Sequence, residues 1–299
     1  MSAASNDSGA ASALLAVLDL ETIGEDRFRG HSPFPSGRVY GGQAVGQALV
    51  AAQRTTPPER LVHSLHAYFI LAGDAALPID YAVERVRDGA SFTTRRVLAS
   101  QRGRAIFSME ASFQIVEPGF EHAFPMPAAP TPENLPTTSA LAERFASFLP
   151  PEAADCIART NAIDVRFADP NAYFSNTARA EPARQFIWFK TAGPLPDDPA
   201  THRSVLAYLS DMTLLNAALV AHGRSIFDRD LQVASLDHAL WFHRPFRADE
   251  WLLYAQDSPN AAGARALTRG LLYTREGTLV ASVAQEGLIR DRSAPAPGR

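Results

Sequence analysis

Residues 103–114, GRAIFSMEASFQ, and residues 277–288, GTLVASVAQEGL, read as two versions of one amphipathic strand set 174 residues apart (277 − 103). With the two-residue period of a strand, the first version puts Ala105, Phe107, Met109, Ala111 and Phe113 on one face. The second puts Leu279, Ala281, Val283, Gln285 and Gly287 on the equivalent face. Gln285 therefore stands where its twin has Ala111. An amide on the core side of a strand must find partners to offset its desolvation, so its presence in one copy alone points to a task that only one copy performs.

Outward from these two strands the whole chain repeats an order of elements. In the first half a helical pattern over 43–54 precedes strand patterns at 61–71, 78–87, 91–101 and 104–116. In the second half a helix over 203–221 precedes strands at 231–244, 250–258, 264–275 and 278–290. Each half also starts with a short strand, near 26–30 and near 185–190. Turn signals such as Arg87-Asp88-Gly89 and Arg275-Glu276-Gly277 suit antiparallel meanders, each with one face covered by its helix. The stretch 117–183 is rich in proline and reads as a connection carrying one helix over 139–148, because proline cannot donate to a ladder and disfavours helix interiors. Gly42-x-x-x-Gly46 on the first helix permits close approach of another backbone, either for packing or beside a ligand.

Composition narrows the function. At 299 residues, 46% hydrophobic and 20% charged, the chain has the make-up of a soluble globular protein of two domain-sized halves. A net charge of −4 supplies no basic field for nucleic acid, and neither a signal peptide nor a membrane span is legible, so a cytoplasmic protein is expected. The lone Cys156 excludes an internal disulfide and any multi-thiolate site. Lys190 is the sole lysine, which removes most routes to Schiff-base chemistry. Gly-x-Ser-x-Gly, Walker and Gly-x-Gly-x-x-Gly patterns are absent. His63-x-x-His66 on a strand sends its rings to opposite faces and makes a poor metal pair, and no metal or cofactor is expected. His238 and His243 read as packing or hydrogen-bonded strand residues.

Three polar residues of the second half interrupt patterns that call for apolar or neutral ones: Asp211, Ser235 and Gln285. Asp211 lies within the apolar helix run and near the place of Gln43 if Tyr40 is matched to Tyr208; it is either part of a site or a wet-side or capping carboxylate. Ser235, in Val233-Ala-Ser-Leu-Asp-His, matches Ser64 of Val62-His-Ser-Leu-His, so alone it carries little weight. Together they offer a carboxylate, a hydroxyl and an amide, enough to hold and polarise one water without a metal.

Several separated motifs carry a family likeness. Gly41-Gly42-Gln43-x-x-Gly46-Gln47-Ala48, His63-Ser64-Leu65-His66-x-Tyr68-Phe69, Arg87-Asp88-Gly89-x-Ser91-Phe92-x-Thr94-Arg95-Arg96-Val97, Asp237-His238-x-x-Trp241-Phe242-His243-Arg244-Pro245-Phe246 and Gln285-Glu286-Gly287 resemble the type II acyl-CoA thioesterases, bacterial and peroxisomal. The chain departs from that pattern at Leu71-Ala72 and at Ala90, where family members often carry arginine. The resemblance implies an α+β double hotdog: an N-terminal hotdog over 13–116, the connection over 117–183, and a C-terminal hotdog over 184–292, with disordered ends at 1–12 and 293–299. It implies hydrolysis of medium- to long-chain acyl-CoA to fatty acid and CoA, with Asp211, Ser235 and Gln285 as the catalytic set and a homo-oligomer of such protomers. An oxyanion would be held by a backbone N–H near Gly42. Two other readings compete. A hotdog enoyl-CoA hydratase should show Asp-x-Asn-x-x-His, which Asp211-Met-Thr-Leu-Leu-Asn216 does not supply, and a non-catalytic acyl-CoA sensor or carrier would bind without turnover.

Overall fold

The computed structural model describes residues 4–34, 37–146, 149, 162–174 and 183–293. The tail 294–299, Cys156 and positions 147–148 of the expected short helix lie outside the described residues. Chain order begins with α1 (Ala4–Leu18), β1 (Glu21–Gly24), β2 (Arg27–Gly30) and α2 (Gly41–Gln53), followed by the first meander. Its strands are β3 (Leu61–Phe69), β4 (Ile79–Asp88), β5 (Phe92–Gln101) and β6 (Arg104–Gln114). The connection carries α3 (Thr138–Arg144), β7 (Ile163–Phe167) and α4 (Pro170–Tyr173). Then come β8 (Arg184–Thr191), α5 (Pro199–Ser210), α6 (Asn216–Val220), β9 (Leu231–Ser235), β10 (Asp237–Phe242), β11 (Leu252–Ala262), β12 (Arg265–Thr274) and β13 (Leu279–Asp291).

All thirteen described strands join one antiparallel sheet, in the order β1-β2-β4-β5-β6-β3-β10-β13-β12-β11-β8-β7, with β9 beside β13. The order is its own mirror: β3 answers to β10, β6 to β13, β5 to β12, β4 to β11. At the centre β3 meets β10, with Ser64 opposite Trp241 and Tyr68 opposite Asp237. A pseudo-twofold that exchanges Ser64 with Asp237 and Tyr68 with Trp241 carries that register onto itself. This is the double hotdog that the family resemblance implied, and it agrees with the duplicated strand. Alternation survives in both copies, with Ala111 and Gln285 each buried to 1% exposure.

Between the two sheet halves α2 and α5 cross antiparallel. A Cβ on Gly42 would lie 2.2 Å from the Tyr208 carbonyl oxygen, and one on Gly46 would lie 3.3 Å from that of Ser204. The Gly-x-x-x-Gly spacing thus serves helix-on-helix packing. At the other end of the crossing the Gln53 amide donates to the Ala200 carbonyl at 3.2 Å and accepts from the Ser204 hydroxyl at 2.8 Å. Val45, Leu49, Leu65, Phe113, Leu206, Leu209, Leu240 and Val283 all belong to one buried cluster that runs through both lobes.

Four expectations change. The start of the chain is helical from Ala4, where disorder through residue 12 was expected. The stretch 117–183 supplies a strand and a second short helix, α4, besides the one expected: β7 pairs with β8, and its three inward residues Ile163, Val165 and Phe167 are too brief a signal among prolines to be read. The helix expected over 203–221 is two helices, α5 and α6, separated at 211–215. The strand expected over 231–244 breaks between Ser235 and Asp237. A single methyl tests the helix crossing. Gly42→Ala should lower the melting temperature by about 5 °C or more through overpacking against a backbone atom. Gly119→Ala, with nothing within 4 Å, should melt as the parent does in the same calorimetric scan.

Candidate active site

The break between α5 and α6 is held open by buried side chains from two strands. Gln185 on β8 donates to the Thr213 carbonyl at 2.9 Å, Gln256 on β11 donates to the Thr213 hydroxyl at 2.7 Å, and Asn216 donates to Gln185 Oε1 at 3.2 Å. Freed backbone groups at 211–215 find partners here rather than in a continuous helix. The result is that Asp211 becomes the C-cap of α5, half-buried, at the negative end of its own helix. Across the lobe boundary it meets the opposite pole: a Cβ on Gly41, the first residue of α2, would lie 2.6 Å from Asp211 Oδ2. A side chain at position 41 would occupy the carboxylate's place.

The sheet brings the other two residues to the same point. Gln285 Nε2 on β13 donates to Asp211 Oδ1 at 2.9 Å and to Ser235 Oγ at 2.8 Å. Ser235 Oγ on β9 donates to Asp211 Oδ1 at 3.2 Å. The three side chains nominated from the sequence therefore share one closed set of hydrogen bonds. Both bonds fall on Oδ1, and Oδ2 faces the first turn of α2. Tyr40, the N-cap of that helix, provides no side-chain cap hydrogen bond to the turn, and its hydroxyl donates to the Tyr208 carbonyl at 2.9 Å.

A fourth residue, His238, orients the amide. It is wholly buried, with Nδ1 2.5 Å from Gln285 Oε1 and Nε2 2.8 Å from Ser210 Oγ. Since Gln285 turns its NH2 toward Asp211 and Ser235, its Oε1 can only accept. The network thus assigns the proton to Nδ1 and leaves Nε2 to accept from Ser210. Tyr254 donates to the Ser210 carbonyl at 2.9 Å and fixes the last turn of α5. Burial holds the His238 imidazole below its ordinary value, against the opposing pull of the Asp211 charge. The sequence reading placed His238 correctly as a hydrogen-bonded strand residue. It missed the partner, since alternation gives the face of a strand residue and not who stands opposite.

Register corrects two comparisons between the halves. Ser235 lies opposite Gly287, and the residue opposite the equivalent Phe113 is Val62, not Ser64. The twofold at the β3–β10 junction gives the same match. Ser235 therefore replaces a valine, which strengthens the contrast between the lobes. Asp211 answers to Gln53 rather than Gln43, because each stands at the far end of its helix, against the first turn of the other. A cleft of about 350 Å³ opens beside the trio, lined by Tyr40, Gly41, Phe69, Ile70, Leu71 and Ser235, with exposed Arg38 at its rim. Gly41 lines it, whereas Gly42 is packed on the Tyr208 carbonyl. Leu71 and Ala72, one of the two departures from the family pattern, stand in its wall.

Comparison with known proteins places this geometry. Residues 158–288 match the acyl-CoA thioesterase family model, and residues 30–114 match the model of the acyl-CoA thioesterase N-terminal domain. Acyl-CoA thioesterase 2 of Haemophilus influenzae is 40% identical over 278 residues, covering 93% of this chain and 96% of that one. The chain belongs to the acyl-CoA thioesterase family. Human acyl-coenzyme A thioesterase 8 is 42% identical, over 92% of this chain and 88% of its own. The crystal structure of acyl-CoA thioesterase II TesB2 from Mycobacterium marinum superposes with a TM-score of 0.77 at 46% identity, covering 92% and 97% of the two chains. Membership makes the protein a thioester hydrolase of the double-hotdog type.

The buried histidine has a measurable consequence. Its folded pKa lies below the ordinary 6.5, so as pH falls through 6.5 the unfolded chain takes up the proton first and stability drops. His202, His63 and His243 are shifted the same way by burial. The urea midpoint should therefore be level above pH 6.5 and decline below it. In His238→Asn, whose amide can still donate to Gln285, that decline should be shallower.

Proposed function

We propose that the protein hydrolyses medium- to long-chain fatty acyl-CoA to free fatty acid and CoA, by direct attack of a water activated at Asp211. The observation that supports this most strongly is the disposition of the carboxylate. Oδ1 is held by Gln285 and Ser235, and Oδ2 faces Gly41, the residue of the first turn of α2 that lines the cleft. A water beside Oδ2 gives its proton to the carboxylate while its oxygen adds to the thioester carbonyl. The developing oxyanion accepts from first-turn N–H groups of α2, at Gly42 with Gly41 beside it, where the helix dipole favours negative charge. Collapse of the tetrahedral adduct breaks the C–S bond and releases the CoA thiolate, which regains a proton from Asp211 as the fatty acid leaves. A thiolate is a good leaving group, so no separate acid is needed.

Phe69, Ile70 and Leu71 in the cleft wall suit an apolar acyl chain, and Arg38 is the cation at the rim for the CoA phosphates. Ser235 and Gln285 hold Asp211 oriented while His238 keeps the amide from flipping.

Release of free thiol from acyl-CoA, followed with a thiol-reactive dye, tests the reading. Asp211→Asn should lower kcat by about 10²-fold or more with little change in KM. Gln285→Ala should also lose most turnover yet keep its fold, since Ala111 occupies the corresponding position. A parent protein that only bound acyl-CoA, one for one and without thiol release, would make it a sensor.

A further inference from the structure

The pseudo-twofold that relates the lobes generates a second cleft from the first, and that cleft is not empty of chemistry. A cavity of about 410 Å³ is lined by Leu61, Pro199, His202, Arg203, Phe246 and Trp251, among others. Part of its lining corresponds to that of the first cleft. Pro199 begins α5 as Gly41 begins α2, and His202 stands three residues along α5 as Ala44 does along α2. Leu61 on β3 takes the position of Ala234 on β9. None of the hydrolytic set recurs here: Gln53, Val62 and Ala111 replace Asp211, Ser235 and Gln285.

Two donors appear instead. Arg203 follows His202 where the other lobe has Val45. Its Nε and Nη1 are shielded from water and lack a hydrogen-bond partner among the described residues. Only the face of the Phe242 ring, 5.9 Å away, meets the guanidinium. His202, 3% exposed, accepts at Nδ1 from the Ala248 N–H at 3.0 Å. That bond assigns its proton to Nε2, which also has no partner. Buried donors without acceptors cost stability, and burial pushes both groups toward their neutral forms. Both residues line the cleft, and an anionic acceptor there relieves both once their side chains turn toward it.

We propose that this second cleft is a non-hydrolytic binding site for a carboxylate with an apolar tail, read by Arg203 with His202 beside it. The guanidinium fork matches the two oxygens of a carboxylate. Leu61, Pro199, Phe246 and Trp251 supply an apolar wall, while Asp197 and Glu250 at the rim are each paired with Arg247, which leaves Arg203 as the cation without a carboxylate partner among the described residues. The free fatty acid released at the other cleft is the ligand of this class at hand, an assignment that rests on the proposed hydrolysis; the site itself does not. Product would then occupy the lobe that cannot make it.

Calorimetric titration with decanoate reads the site directly, without turnover. The parent protein and Asp211→Asn should each show an Arg203-dependent binding event that quenches Trp251 fluorescence, a signal absent in Trp251→Phe. Arg203→Met should weaken that event by about tenfold or more while leaving kcat and KM for acyl-CoA within about twofold. The uncharged 1-decanol should bind the parent at least about tenfold more weakly than decanoate. Equal binding of decanol and decanoate to the parent, or undiminished decanoate binding by folded Arg203→Met, overturns the proposal. Because binding is measured apart from thiol release, its failure leaves the hydrolytic reading standing, and the converse also holds.

Discussion

Close approach of two helix backbones governs this molecule. The site is not contained in either lobe: the carboxylate ends α5, and the turn it faces begins α2. Only where α2 presents Gly41 and Gly42 can the Tyr208 carbonyl and Asp211 come so near, since a Cβ at either position would collide with them at 2.2 and 2.6 Å. The negative end of one helix is thereby set against the positive end of the other, with a carboxylate between them. The shared core and the continuous sheet hold that crossing in register.

Around the crossing, order passes inward through hydrogen bonds that leave each group a single option. Tyr254 fixes the Ser210 backbone, the Ser210 hydroxyl meets His238 Nε2, His238 Nδ1 meets Gln285 Oε1, and Gln285 Nε2 meets Asp211. The links through Tyr254, Ser210 and His238 are buried, where an unmatched polar atom is costly, so a flip of the Gln285 amide is opposed. A small carboxylate site thus acquires definite orientation from the protein's own hydrogen bonds.

Much of this was legible before any coordinates. The contrast of Gln285 with Ala111 in two copies of one strand picked out a member of the hydrogen-bonded trio, because alternation shows which face an amide occupies. Pairing was harder to read. Each copy carries an irregularity beside the serine, between Val62 and Ser64 in β3 and between Ser235 and Asp237 at the β9–β10 break. The true offset is 173 residues on both sides of the irregularity (235 − 62 and 237 − 64), whereas the matching letters suggested 171 (235 − 64), so Ser64 looked like the twin of Ser235 when Val62 is. The helix expected over 203–221 stayed whole on paper because it is apolar all round. Its interruption is imposed by Gln185 and Gln256, amides far away along the chain. The alternation of Ile163, Val165 and Phe167 was hidden by its brevity.

Joining both lobes in one polypeptide has a further effect. In an assembly of identical subunits, any substitution appears at every symmetry-related position, so a change that improved one cleft would alter its mate too. A covalent tether removes that penalty. Once linked, one lobe could keep an aspartate, a serine and a glutamine while the other drifted toward an arginine and a histidine, and division of labour became possible without a second gene.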